Sequence, residues 1–296
     1  MPWYNSIMFK KIVIFGVGLI GGSVALALKK LPQAPQIVGV GRHSNSLQEA
    51  YQLGLIDVIE TDLSSAMQAA DLVIIATPVA QTPAILRAIR PFLNDSTVLT
   101  DAGSTKSDVM GYARTELGPQ FSQFVGGHPI AGAEKSGPSA AMADLYVGKN
   151  VILTPENETA PEALAKVTRL WQDCGAIVSS MTAEAHDHVF AAVSHLPHLL
   201  AFALVEDLAK RDNADILFKF AASGFRDFTR IAGSHPEMWR DIALANKTAL
   251  LRELQIYQQA LTEMTSLLVQ NDGDALHALF AHASHARNDW AKSKIQ

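Results

Sequence analysis

The 296-residue chain has a single cysteine, Cys174, so it holds no intrachain disulfide. That composition suits a reducing compartment, and a cytoplasmic location is the expectation. Charge is sparse as well: 18% of residues are charged and the formal net charge is -5, which gives no general attraction to nucleic acid or to an anionic membrane. Low-complexity tracts and solenoid-period repeats are absent. Residues 1–8, MPWYNSIM, lack the charged start, longer apolar core and small-residue cleavage site of a secretory signal, and the apolar run after them is too short to span a bilayer. They are expected to form a poorly ordered leader. What the chain does have is apolar residues, 48% of the total, enough to bury substantial cores without disulfide or metal staples.

The most informative stretch is Gly16-Val17-Gly18-Leu19-Ile20-Gly21-Gly22. It follows the apolar run Lys11 to Phe15 and opens a helix-compatible segment, the strand–turn–helix context that a dinucleotide fingerprint requires. The first glycine makes the turn, the second admits a pyrophosphate to the backbone, and the third lets helix and strand pack closely. The backbone at Leu19 and Ile20 then lies at a helix N-terminus, where unpaired N–H groups favour an anion.

From Lys11 to about Ser180, short β-branched runs alternate with helical segments, which predicts a mostly parallel sheet covered by helices on both faces. After Met181 the pattern turns to long helical segments, read as Ala183 through Asp212, Ala214 to Ala221, Glu237 to Val269 and Asp274 to Lys292. The division is therefore a Rossmann-type α/β nucleotide-binding domain over residues 9–181 followed by an all-α domain over 182–296. Leu244, Leu251, Leu254, Leu261 and Leu268 recur at near-helical intervals, a stripe to be covered within the domain or by a second subunit.

Cofactor choice is read one strand beyond the fingerprint. An NAD-preferring site places an acid there to bind the ribose hydroxyls, whereas this strand ends Gly41-Arg42-His43-Ser44. An arginine with neighbouring His and Ser can hold a 2′-phosphate, so NADP is expected to be preferred, with NAD also possible. Further strand ends carry Thr77-Pro78 and then Asp101 and Gly103 of Asp101-Ala102-Gly103-Ser104-Thr105-Lys106, all placed to line a nicotinamide or its ribose. The next carries Gly126-Gly127-His128-Pro129, where a histidine held between glycines and a proline can exchange a proton near neutral pH.

The helical half adds His186-Asp187-His188, Ser194-His195-Leu196-Pro197-His198 and the run Ser223 to Arg230. The histidine pairs lack i, i+4 spacing and have no Cys or Glu at a familiar ligand offset, so no metal is expected. With no G-x-S-x-G elbow, a serine hydrolase is not expected either.

In order along the chain, GVGLIGGS, DAGSTK, GGHPIAGAEKSG, SHLPH and GFRDFTRIAGSHPEMWRD closely resemble the prephenate/arogenate (cyclohexadienyl) dehydrogenase family of tyrosine biosynthesis. The resemblance implies oxidative decarboxylation of prephenate, arogenate or both, with hydride passing to the nicotinamide, and a homodimer formed through the helical domain. Carried over by motif, His128 is the base for the substrate 4-hydroxyl and Ser104 orients it. Arg230 binds the ring carboxylate, and His198, with His195 and Ser194 close by, lies near the substrate side chain. Glu134, Asp187 and Trp239 match an entrance network near the site in some members, with helix capping or core packing as the other reading of these three. A cationic or donor-rich His198 would favour the pyruvyl chain of prephenate over the aminated chain of arogenate. No regulatory ACT-type domain follows the helices before Gln296, so inhibition by tyrosine is expected to be competitive at the active site. Two other readings remain. A Rossmann β-hydroxyacid dehydrogenase would carry a lysine early in the helical half, yet none occurs between Lys166 and Lys210. A non-catalytic dinucleotide sensor would need no proton acceptor.

Overall fold

The computed structural model describes residues 9–41, 44–133 and 135–293. The expected leader 1–8 and the residues Arg42, His43 and Glu134 lie outside them.

Eight strands form one sheet: β1 Lys11–Phe15, β2 Gln36–Val40, β3 Val58–Ile59, β4 Leu72–Ile75, β5 Val98–Asp101, β6 Phe124–Pro129, β7 Asn150–Thr154 and β8 Ile177–Ser180. Their order across the sheet is β3-β2-β1-β4-β5-β6-β7-β8. All pairings from β3 to β6 are parallel, β7 runs antiparallel to β6, and β8 is again parallel to β7. The helices between them are α1 Leu19–Leu28, α2 Ser44–Gln52, α3 Leu63–Met67, α4 Thr82–Ile89, α5 Ser107–Leu117 and α6 Pro161–Asp173. β3 and α3 are too short for periodicity to reveal them in the sequence.

The continuous apolar runs are explained by burial on both faces. Along β1, Ile12 and Ile14 join a core shared with α1, α2 and α6, whereas Val13 and Phe15 join one shared with α3, α4 and α5. β4 divides in the same way, Leu72 and Ile74 on one face and Val73 and Ile75 on the other.

Strand order reverses between β1 and β4, the switch point beside which doubly wound sheets bind ligands. In register, Phe15 lies against both Val40 and Ile75, and Ile75 against Asp101, so the turns that begin at Gly16, Gly41, Ala76 and Ala102 leave the sheet at one edge. Gly16 has φ +90, and a Cβ there would come within 2.7 Å of the Ala76 carbonyl oxygen. A Cβ at Gly21 would collide with the Gly16 carbonyl oxygen and lie 2.9 Å from Ile14 Cγ2. Gly18 differs, for a Cβ there meets nothing.

Beyond β8 come α7 Ala183–Phe190, a π-helical turn Ala191–His195, α8 Leu196–Ala209, α9 Ala214–Phe220, α10 Ser223–Thr229, α11 Pro236–Ala245, α12 Lys247–Val269 and α13 Gly273–Ser293. By length and composition the stretch Ala183–Ala209 could cross a bilayer. It is instead the histidine-bearing helix described below.

Two segments read from the sequence as unbroken helices are broken. Pro197 cannot donate to the carbonyl of Val193 and its ring crowds that turn, and the residues ahead of it widen into the π turn. The segment read as Glu237 to Val269 stops at Ala245, because Asn246 leaves helical geometry (φ -99, ψ 30) with its side chain committed elsewhere.

By contacts the chain divides into compact units Met1–Lys247 and Thr248–Gln296, the second containing α13 and nearly all of α12. Of the leucine stripe, Leu244, Leu251, Leu261 and Leu268 are exposed and Leu254 is half-buried.

Gly21→Ala should lower stability by about 1–3 kcal/mol, because the nearest crowding atom, the Gly16 carbonyl oxygen, is backbone and cannot yield. Urea unfolding midpoints check this, with Gly18→Ala, which meets no steric obstacle, expected to stay close to wild type.

Candidate active site

At the C-terminal end of β5 the chain buries an ion pair. Lys106 Nζ bonds Asp101 Oδ2, and both side chains are almost wholly inaccessible. A charge this deep is tolerable only with its hydrogen bonds satisfied. Asp101 meets that need by accepting from Gly103 N at 2.8 Å and Gly127 N at 2.9 Å, which ties the loop after β5 to the end of β6. The Asp101 carboxylate thus faces inward.

His128 follows directly after the tied Gly127, in β6 opposite Ile152 of β7. Its Nδ1 lies 2.8 Å from Nε2 of His186, and its ring meets Phe190 edge-on with centroids 4.9 Å apart. His186, fully buried on α7, has its Nδ1 2.9 Å from Asp187 Oδ1. Asp187 in turn accepts from the backbone N–H of Lys106 and of Ser107, each at 2.8 Å. Those are two of the donors that the N-terminus of α5 leaves unpaired, so Asp187 caps that helix from outside and meets the positive end of its dipole.

A second limb begins at Asn246. Its Nδ2 donates to the Asp187 carbonyl at 2.8 Å and lies 3.1 Å from His195 Nδ1. His195 is buried, and the backbone of Ser104 lies close enough to favour its charged form. His198 Nδ1 donates to the Ser194 carbonyl at 2.8 Å, and its ring stacks on Trp239 at 3.7 Å between centroids and 20° between planes. Trp239 also meets His195 edge-on at 6.0 Å, and its own Nε1 is buried without a partner. Ser104 is half-buried in the loop that carries Asp101 and Gly103. Arg230, exposed at the end of α10, is close enough for its charge to be felt at His198.

The π turn makes this gathering possible. At about 100° per residue, His195 on a regular helix would lie roughly 180° around from His186. His198 would lie roughly 120° around. One residue absorbed by a π turn reduces these angles to roughly 80° and 20°. Helical spacing in the sequence concealed this shared face.

All four histidines are held toward the neutral form. Burial drives His128 well below the usual value of 6.5, and His186, Lys106 and His195 push the same way. For His186 burial again leads, opposed by Asp187. Burial lowers His195 to about 4. Burial lowers His198 too, with the Ser194 carbonyl opposing and Arg230 assisting. Asp187 moves down despite its burial, because His186, Ser107 and Lys106 hydrogen-bond its ionised form. A neutral His198 whose Nδ1–H is committed to Ser194 presents an acceptor, not the cation or donor that the argument for prephenate over arogenate required.

The dinucleotide fits the other end of this edge. The open space over Gly18, the uncapped N-terminus of α1 at Leu19 and Ile20, and the buried unpartnered hydroxyl of Thr77 beside Pro78 form a cradle of backbone and small polar groups. Gly41 closes β2, and Ser44 begins α2. Among the described residues no group of three His, Cys, Asp or Glu side chains is placed to hold a metal ion. Sequence reasoning gave no role in the site to His186, Lys106 or Asn246. The adjacent His186-Asp187 pair was visible, but not the two N–H groups that make it a relay.

A doubly wound sheet with a glycine turn at its switch point is the architecture of a dinucleotide-binding protein. Residues 24–180 match the family described as prephenate dehydrogenase, nucleotide-binding domain, and residues 182–282 match prephenate dehydrogenase, dimerization domain. The chain is 39% identical to the prephenate dehydrogenase of Bacillus subtilis over 94% of its own length and 75% of that protein's. It is 35% identical to the cyclohexadienyl dehydrogenase of Zymomonas mobilis, covering 95% of this chain and 96% of that one. A crystal structure of prephenate dehydrogenase from Aquifex aeolicus, in complex with hydroxyphenyl propionate and NAD+, superposes with a TM-score of 0.91 at 37% identity, covering 96% and 99% of the two chains. The chain belongs to the prephenate dehydrogenase family.

Each lowered histidine makes the fold sensitive to acid. The unfolded chain binds protons near pH 6.5 while the folded one resists them, so stability is complete above that pH and is lost as pH falls below it. For His195, at about 4 in the fold, the loss between pH 7 and pH 5 is on the order of 2 kcal/mol. His195→Gln should flatten the dependence by about that amount, measured as the difference in urea midpoint between the two pH values.

Proposed function

We propose that this chain is a cytoplasmic, NADP-preferring prephenate dehydrogenase that also accepts arogenate, and that His128 is the base of its reaction. The observation that carries the reading is a neutral His128 at the ligand edge of the sheet, anchored through Nδ1 so that its other nitrogen can face a substrate. The bound nicotinamide supplies a hydride acceptor. His128 draws the proton from the substrate 4-hydroxyl as C4 becomes a carbonyl carbon, and Ser104 orients that hydroxyl. The ring carboxylate, held by Arg230, then departs as CO2, and its electron pair completes the aromatic ring. Arg230 suits this role because a guanidinium stays ionised and can bond a carboxylate bidentately.

His198 sets the substrate range in this reading. With its Nδ1–H on the Ser194 carbonyl and its charge suppressed, it neither repels an ammonium nor demands a second carboxylate. His195, Trp239 and the Ser194 backbone complete that wall. Preference for NADP rests on the absence of an acid at Gly41 to Ser44, since a 2′-phosphate would be repelled by one. A homodimer is supported by the dimerization description of the family that residues 182–282 match, and by the exposed Phe220, Leu251 and Leu268 on the helical part. The buried thiol of Cys174 is consistent with a reducing cytoplasm.

His128→Asn should lower kcat by about 10²–10⁴-fold while leaving the KM for prephenate nearly unchanged. Arg230→Ala should instead raise KM by roughly 10–100-fold, the loss of a charge-assisted hydrogen bond. Steady-state kinetics separate the two, and full activity in His128→Asn would remove the base assignment. With wild type, production of NADPH and NADH from prephenate and from arogenate should give the higher kcat/KM with NADP and measurable turnover of both substrates. A clear NAD preference overturns the cofactor assignment, and no turnover at all would favour a sensor.

A further inference from the structure

We propose that His186 and Asp187 are positioning residues that hold His128 in the tautomer with its proton on Nδ1, leaving Nε2 as the only nitrogen able to accept a proton. The inference rests on His128 being the base, but the tautomer can be read without turnover.

The argument starts at the end of the chain of bonds whose protonation is fixed. Asp187 receives two backbone N–H groups, from Lys106 on Oδ1 and from Ser107 on Oδ2. Backbone N–H groups only donate, so both carboxylate oxygens act as acceptors, as an ionised carboxylate does. His186 Nδ1, 2.9 Å from the same Oδ1, must therefore donate. A neutral imidazole with its proton on Nδ1 has a lone pair on Nε2. His128 Nδ1, 2.8 Å from that lone pair, must donate in its turn. Its Nε2 is then the acceptor. Three groups share one polarity, set by the backbone at the start of α5, and with His186 held neutral by its burial a reversal at any point would set two donors or two lone pairs against each other.

Side-chain packing fixes the orientation as well as the proton. His186 is fully buried, and its ring lies against Phe190 at 4.5 Å between centroids, while Phe190 also meets the edge of His128. Asn246, donating to the Asp187 carbonyl, holds the backbone of the relay from the other side. Neither His186 nor Asp187 reaches the reacting atoms in this scheme; both act through His128.

The experiment is long-range proton–nitrogen NMR on the full-length chain with nitrogen-labelled histidine. His128 is assigned by the signal missing from His128→Asn. Wild type should show His128 with its proton on Nδ1, and His186→Phe, which keeps the ring but removes the acceptor, should show a mixture of the two tautomers. The same variant should lose about 10²-fold in kcat with little change in KM. A wild-type His128 carrying its proton on Nε2 overturns the proposal, as does His186→Phe retaining a pure Nδ1–H tautomer. Full kcat in His128→Asn would remove the base assignment while leaving the NMR result to stand on its own.

Discussion

Asp187 carries two kinds of connection. Its carboxylate closes the N-terminus of α5 and meets His186, and its carbonyl takes the amide of Asn246. Sheet-covering helix, histidine-bearing helix and the end of α11 therefore converge on one residue. Removing the carboxylate would leave two N–H groups of α5 unpaired in a buried setting and at the same time release His186. A helix cap and the orientation of a site are the same set of bonds here.

The ion pair of Lys106 and Asp101 performs the corresponding task for the sheet. Buried charges are costly, and this one is compensated by backbone donors from two different strand ends. The result is a fixed distance between the loop after β5 and the end of β6, the two segments that bear Ser104 and His128. Its positive partner also contributes to the low proton affinity of the histidines nearby.

Much of the α/β half was legible in the residues. Continuous β-branched runs such as Ile12 to Phe15 announce strands buried on both faces, and Gly16 to Gly22 announces the turn at the switch point. The motif around His128 could be picked out because a glycine pair and a proline flank it. The helical half was harder to read. Pro197 was the visible cause of a break, but a proline does not say whether a helix will kink, stop or widen, and only widening brings His195 and His198 round toward His186. Asn246 was equally silent. A lone asparagine inside an apolar period is compatible with continued helix, and its capture by Asp187 and His195 depends on residues some fifty and sixty positions earlier. Charge state was hidden for the same reason: burial, not sequence neighbours, keeps His198 from being a cation.

The low proton affinity of His128 bears on more than its readiness to accept. In the proposed reaction the oxygen that gives up a proton becomes a phenolate once CO2 has gone, and a phenolate is more basic than a neutral imidazole. A strongly basic residue would keep what it had taken and would enter the next cycle charged. A buried imidazole that feels the charge of Lys106 retains a proton poorly, so in that scheme the proton would go back to the oxygen from which it came. The protein would then finish each cycle with the charge it had at the start.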